Sequence, residues 1–279
     1  MKLVTPNIIM SANIVRISLL LLTAAFGHAG SPPLLSPSAT EIRPMSTDRP
    51  DTTESPITVP AGMFQVEMSF FDYERDSFEG EQVESWVLGQ MNLKAGLSPD
   101  VDLQVVFNSY QEVRLKSGSQ SDRFSGFGDV TVRLKKNLWG NDSGQTALAL
   151  MPYVTIPTGS ELSSEVWEGG LIVPFSVSLT ERLNLGLMAQ MDIVHDVETG
   201  GQDLEFLHSA TLGFGLTEIL GMYLELVGIA GEDANYMALF DAGLTLAVTD
   251  NLVFDAGVRI GLNRPAPDFG VFSGVSFRF

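Results

Sequence analysis

The sequence predicts an all-β fold: a single antiparallel up-and-down transmembrane β-barrel of about twelve strands, preceded by an irregular proline-rich arm. Three observations predict it. From Phe64 onward apolar and polar residues alternate with period two, and the alternation persists to the last residue. The alternating runs are mostly 10 to 15 residues long, against ~5–6 for a typical soluble strand and ~9–11 for a tilted strand crossing a bilayer. The final run, Gly274-Val275-Ser276-Phe277-Arg278-Phe279, keeps its alternation up to an aromatic ring, whereas soluble domains usually close on loose polar residues.

The elements follow in chain order. Lys2 and Arg16 precede the apolar run Ile17 to Phe26, and Gly27 and Ala29 flank His28. A basic region, a short apolar core and small residues at its exit read as a secretory signal peptide, residues 1–29. The core is too short for a membrane-spanning helix. Residues 30–62 carry prolines at 32, 33, 37, 44, 50, 56 and 60, a density that blocks helix and central strand alike. They read as a periplasmic arm, or a plug. Residues 63–279 form the barrel. Its strands are expected near 63–73, 83–97, 101–115, 127–136, 145–156, 166–179, 182–194, 204–216, 220–230, 236–248, 252–262 and 269–279.

Val101, Leu103, Val105 and Phe107 point one way, and Asp102, Gln104 and Asn108 the other, because successive strand side chains face opposite sides. The same pattern recurs at Leu183 to Ile193 and at Leu252 to Ile260. Alternation alone also fits a soluble β-sandwich, the alternative fold. Strand length favours the barrel, and so do the connections. Ser98-Pro99-Asp100, Thr180-Glu181, Thr217-Glu218 and Thr249-Asp250-Asn251 are tight turns, while Glu74 to Gln82, Ser117 to Ser125 and Pro157 to Glu165 are longer and polar. Short periplasmic turns alternating with long external loops characterise outer-membrane barrels. The link Asn137 to Gly144 is long for a periplasmic turn. Aromatics fall where girdles belong: Phe254, Phe277 and Phe279 at the periplasmic rim, and Trp167, Phe206, Tyr236 and Phe240 at the outer one. Val275, Phe277 and Phe279 are expected to close the last strand on the first, since an open edge in lipid is untenable.

Several phrases carry a family resemblance: Ser46-Thr47-Asp48-Arg49-Pro50-Asp51-Thr52-Thr53-Glu54-Ser55-Pro56, then Val59 to Glu67, Gly126-Phe127-Gly128-Asp129, Ile156-Pro157-Thr158-Gly159 and the closing Gly274 to Phe279. Together they resemble the transporter-like outer-membrane β-barrel family "Putative MetA-pathway of phenol degradation". The resemblance implies a barrel linked by name to aromatic catabolism that passes small molecules. It also implies that the barrel assembly machinery recognises the terminal aromatic strand. It brings no catalytic residues.

Charge excludes some partners. The formal balance is −18, and the signal segment removes two basic residues and no acidic ones, so the exported chain is more acidic still. Such a chain does not wrap nucleic acid. The expected partners are outer-membrane lipid, the assembly machinery and a small-molecule solute. No cofactor and no metal is expected; the loop Glu232-Asp233-Ala234-Asn235 offers hard oxygens without the spacing of a defined site.

The inward face supplies the candidate lining: Glu67, Lys94, Asp129, Arg133, Lys135, Asp192, Glu225, Asp241, Asp255 and Arg259, with Glu84, Asp102, Glu112, Arg114 and Arg278 by the same parity. These residues read either as a structural ion-pair network or as a selectivity lining. Asp48, Arg49, Asp51 and Glu54 of the arm read as a plug that docks in the periplasmic half and pairs with residues such as Arg133 and Arg259. The alternative is an arm packed on the rim. His208 and Ser209, adjacent on a strand, face opposite sides and form no dyad. His195-Asp196 is half of an acid–base pair at most. The leading function is therefore a channel for small solutes, aromatic or apolar ones among the candidates, without catalytic residues. A non-conducting structural or surface-interaction barrel is the alternative, and a membrane-embedded hydrolase the third reading.

Overall fold

The computed structural model describes residues 42–142, 144–196, 200–232 and 234–279. The expected signal peptide, the first part of the arm and Asp233 lie outside the described residues. Among the described residues the chain forms thirteen strands: β1 (Phe64–Phe78), β2 (Glu81–Ser98), β3 (Val101–Ser117), β4 (Gln120–Gly126), β5 (Val130–Trp139), β6 (Thr146–Ile156), β7 (Glu168–Thr180), β8 (Leu183–His195), β9 (Gln202–Gly215), β10 (Leu220–Gly231), β11 (Met237–Thr249), β12 (Leu252–Gly261) and β13 (Phe269–Arg278).

All neighbours pair antiparallel, and β1 pairs with both β2 and β13, which closes the sheet on itself. The seam runs as expected, with Met68 opposite Val275 and Val66 opposite Phe277. Phe64 and Phe279 exchange backbone hydrogen bonds of 2.9 Å each way, and their rings lie 5.9 Å apart. Closure leaves no open strand edge facing hydrocarbon.

Twelve strands make the ring, and β4 is additional. β3 pairs through Val101–Phe107 with β5 and through Gln111–Ser117 with β4. The expected strand 127–136 is thus a broken one, interrupted at Phe127-Gly128-Asp129. The expected external loops Glu74–Gln82 and Ser117–Ser125 are not loops. Residues 74–78 and 81–82 continue β1 and β2 around a turn at Glu79-Gly80, and residues 120–125 belong to β4. Polar residues on both faces removed the alternation that marks a strand inside the bilayer, yet the backbone stays paired beyond it.

Burial is inverted relative to a water-soluble protein. Glu67, Asp102, Lys135 and Glu225 are buried, whereas Leu226, Leu244, Leu212, Leu187 and Phe254 are exposed on the outer surface. Large apolar side chains are normally the buried class; here they form the face that meets lipid. Trp167, Phe206, Tyr236, Phe277 and Phe279 are exposed in that surface, as girdles require.

At one level of β1–β3 the alternation slips. The register of β1 with β13 shifts between Ser69 and Phe71, and Leu88 pairs with Tyr110 while Gln90 pairs with Asn108, skipping Gly89 and Ser109. Gly89 takes φ +62°, and an added Cβ would meet the Ser109 hydroxyl at 3.2 Å, so glycine suits this bulge. Above the slip the faces exchange. Val83, Ser85 and Val87 face the lumen, and Glu84, Glu112 and Arg114, expected to line it, face outward.

Candidate functional site: a lumen holding the chain's own arm

The arm enters the barrel at the short-turn end, rises along one limb, and returns to β1. Two contacts fold the limbs together: Ser46 and Ser55 share a hydroxyl hydrogen bond of 2.7 Å, and the Ser55 N–H donates to Asp48 Oδ1 at 3.0 Å.

Wall strands then grip the bend. The Lys94 ammonium on β2 pairs with both Asp48 and Glu67, and Lys135 Nζ on β5 reaches Asp48 Oδ1 at 2.7 Å. Glu67 on β1 also accepts from the Asp48 and Arg49 backbone N–H groups at 3.1 Å. The Arg49 guanidinium makes a two-pronged pair with Asp255 on β12, at 3.1 and 2.7 Å, and donates to Ser69 Oγ at 2.5 Å. Across the lumen, the Glu225 carboxylate on β10 accepts from the Thr52 and Thr53 N–H groups at 2.7 and 2.8 Å, and from Thr53 Oγ1 at 2.5 Å. Glu54 pairs with Arg133 at 2.5 Å. Buried charges persist only where paired and hydrogen-bonded. Each wall group here meets that condition through the arm.

The base is clamped too. Asp102 accepts from the Val59 N–H at 2.9 Å, and Asn137 Nδ2 donates to the Pro56 carbonyl at 2.8 Å. Asn141, in the long β5–β6 connection, accepts from the Thr58 N–H at 3.0 Å and donates to Thr58 Oγ1 and the Pro99 carbonyl, both at 2.8 Å. That connection's extra length therefore serves the arm. Its length was the one sequence signal for this role, and the expected lining omitted Asn141.

Other expected lining residues are placed differently. Arg259 does not pair with the arm; it is taken by Glu74, Asp72 and Asp241 on the wall. Asp192 binds Tyr153 and Gln190. Asp129 does not line a path: it accepts from the Thr158 N–H at 2.9 Å and the Ser164 N–H at 2.7 Å, pinning the external loop 157–167. Leu162 of that loop packs against Val83 and Val113, so the loop narrows the outer mouth. Ala266 of the β12–β13 loop does the same against Val227, Ile229, Met237 and Leu239.

Electrostatics differ among the arm carboxylates. For Asp48, burial works against ionisation, but the Lys135 and Lys94 ammoniums outweigh it and hold the carboxyl well below the usual range. For Glu54, burial and the nearby Asp48 charge outweigh Arg133 and push the pKa up to about 7. Burial and the Glu225 charge likewise push Asp51 well above its usual value.

Above the arm lies a cavity of about 260 Å³. Arm residues Asp48 to Thr52 and Glu54 line it together with Arg133, Asn92, Gln90 and Gln190, and with apolar Val87, Val106, Leu207 and Phe272. Arg133 Nε, Glu54 Oε2 and Asn92 Oδ1 have no hydrogen-bond partner among the described residues. Met151, Ile172 and Met188 form a further apolar stretch of the inner wall.

His208 faces outward, stacks between Phe206 and Tyr236 at 5.5 and 5.9 Å, and shares a 3.1 Å hydrogen bond with the Tyr236 hydroxyl. His195 ends β8, its N–H donating to Glu168 Oε1 at 2.9 Å.

A closed ring, apolar outside and charged inside, with its own N-terminal arm seated in the lumen, defines an internally occupied outer-membrane β-barrel. The match to a family model makes the assignment specific. The chain belongs to the family described as "Putative MetA-pathway of phenol degradation", whose model matches residues 47–279. The docked arm from Thr47 onward is inside that match. An outer-membrane channel from Pseudomonas putida F1 superposes with a TM-score of 0.64 at 15% identity, over 84% of this chain and all of the other. The NanC porin superposes with a TM-score of 0.50 at 11% identity, over 77% of this chain and 98% of its own. These likenesses are of fold. No curated protein matches the chain in sequence.

Proposed function

We propose that the protein is an outer-membrane channel for small solutes, with aromatic or apolar molecules as the favoured class, and that the arm gates it. The carrying observation is the cavity of about 260 Å³ between the docked arm and the outer mouth. Its apolar walls at Val87, Val106, Leu207 and Phe272 offer a ring-sized surface, and its unpartnered Arg133, Glu54 and Asn92 atoms offer polar anchors. Passage is non-covalent: a solute settles above the arm, the arm's ion pairs open, and the solute leaves toward the periplasm. The name of the Pseudomonas putida F1 structure, an outer-membrane channel, supports this reading.

Cavity charge refines it. Asp48, Asp51, Glu54, Glu67 and Asp72 face Arg49, Arg133 and Arg259. With Asp51 and Glu54 drawn toward their neutral forms, the two signs nearly balance, which favours neutral solutes over ions of either sign. Uptake by cells with and without the gene tests the proposal. A panel pairing neutral aromatic alcohols with aromatic acids of matched size should show gene-dependent uptake of the neutral members. Uptake indifferent to the gene for every member contradicts it.

A second reading, a closed structural barrel, is favoured by the density of contacts between arm and wall. The two readings part on whether removing the arm creates conductance.

A further inference from the structure

The exchange of faces at the β1–β3 bulges has a second result on the outer surface. Cross-strand partners stand side by side, and the register sets Arg75 beside Glu84, Glu84 beside Arg114, and Arg114 beside Arg123. This row crosses four strands on the lipid-facing side. Lys116, beside Gln82, stands one row above it. Immediately below are Tyr73 and Trp86, their rings 4.4 Å apart, with Glu112 beside Trp86 and Tyr110 beside Leu88.

The height of this row follows from geometry. Tyr73 is nine residues from Phe64 at the periplasmic girdle. At ~3.3 Å per residue and a tilt of roughly 40° that is about 23 Å, close to the ~25 Å apolar band of such barrels. Tyr73 and Trp86 therefore belong to the outer aromatic girdle, and the arginine row stands about 5 Å higher, among the headgroups.

Four cations gather here on a chain whose formal charge is −18. Two carboxylates share the patch. Glu112 is held by Arg114 and Arg123 and accepts from the Tyr110 hydroxyl at 2.7 Å, and Glu84 pairs with Lys116 at 2.9 Å. The cationic side chains remain open: Arg114, Lys116 and Arg123 are 42%, 42% and 58% exposed. Arg75 is exposed, with a long 3.4 Å hydrogen bond to Ser77 Oγ. Guanidinium groups bind phosphate oxygens in pairs, and each retains free N–H donors beyond its carboxylate contact.

We infer that Arg75, Arg114, Lys116 and Arg123 form a docking surface for the phosphate groups of a phosphorylated glycolipid of the outer leaflet, of the lipid A type. The girdle rings below would lie against its acyl chains. The inference holds whether or not the lumen conducts.

The test uses the full chain in phosphatidylcholine nanodiscs titrated with bisphosphorylated lipid A, with bound lipid counted by native mass spectrometry. The variant R75Q/R114Q/K116Q/R123Q should bind at least roughly a hundredfold more weakly, given that each basic residue near an anionic lipid surface contributes about fivefold. A control, K136Q/R182Q, removes two cations at the periplasmic turns and should bind as the parent does. Equal binding by the fourfold variant, an equal loss in the control, or equal binding of fully dephosphorylated lipid A by the parent each overturns the inference. Should the fourfold variant fail to fold, Arg75→Gln alone carries the test: about fivefold weaker binding is expected, and unchanged binding overturns it.

Discussion

Asp48 is the keystone of the docked arm, and its removal has a calculable effect. Its carboxylate takes the Lys94 and Lys135 ammoniums and the Ser55 N–H. In Asp48→Ala, Lys94 keeps Glu67, while Lys135 loses its ion pair. Breaking a buried pair from one side costs about 3–5 kcal/mol. At about 1.4 kcal/mol per tenfold, the undocked fraction of the arm should rise by roughly two to three and a half orders of magnitude. The native sequence has no cysteine, so Thr53→Cys introduces a unique thiol at a position buried by the Glu225 contacts. Where undocking is fast relative to modification, the labelling rate tracks the open population. Rates for Thr53→Cys with and without Asp48→Ala, measured in folded barrels with a polar maleimide, give the ratio directly. A change below about threefold would refute the assignment of Asp48 as a buried, doubly paired anchor.

Other consequences follow from the same contacts. Glu54 has a pKa of about 7 in the docked arm against its usual 4.5, so protonation favours docking. That contribution is complete below the usual value and lost as pH rises through about 7. Labelling of Thr53→Cys, normalised at each pH to the rate of a free thiol because the thiolate is the reacting form, should therefore quicken between pH 5 and pH 8. Glu54→Gln should shrink the step and leave the part that Asp51 carries, and a step unchanged in Glu54→Gln removes Glu54 as a source. Deleting Arg278 and Phe279 removes the Phe64–Phe279 backbone bonds and the Arg278 contacts with Asn251 and Arg43. The heat-modifiable folded band on a gel should disappear, and normal yields of that band would count against the seam. Leu226, 55% exposed on β10, faces the hydrocarbon, so Leu226→Lys should cost about 2–4 kcal/mol in denaturant unfolding from lipid. A neutral result would mean that this face meets water.

Much of this architecture is legible in the sequence because a period of two is a local property. Val101 to Asn108 reads correctly residue by residue, and the seam at Phe277 and Phe279 reads equally well. Where the period breaks, reading fails. The slips at Phe70, Gly89 and Ser109 add one residue each, so parity counted from below sends Glu84, Glu112 and Arg114 to the wrong face. Nothing in Leu88-Gly89-Gln90 marks that slip except the glycine, a weak signal by itself.

The arm shows a similar division. Asp48, Arg49, Asp51 and Glu54 announce themselves as charges needing partners, and the Glu54–Arg133 pair is found as expected. Arg259 goes instead to Glu74, Asp72 and Asp241. Asp241 belongs to the expected lining, but Glu74 comes from a segment read as an external loop, and Asp72 reaches the lumen only because of the slip between Ser69 and Phe71, so neither of these two stood among the expected competitors. The grip of Glu225 on Thr52 and Thr53 uses backbone donors, which every residue but proline carries and which leave no mark in a sequence.

The central claim is that the arm occupies a passage that exists without it. Single-channel recording in planar bilayers, comparing the full chain with one lacking residues 42–56, tests it most directly. Low or intermittent conductance in the full chain and a larger, steadily open conductance in the truncated one is the predicted result. Identical traces from two folded barrels would contradict the claim.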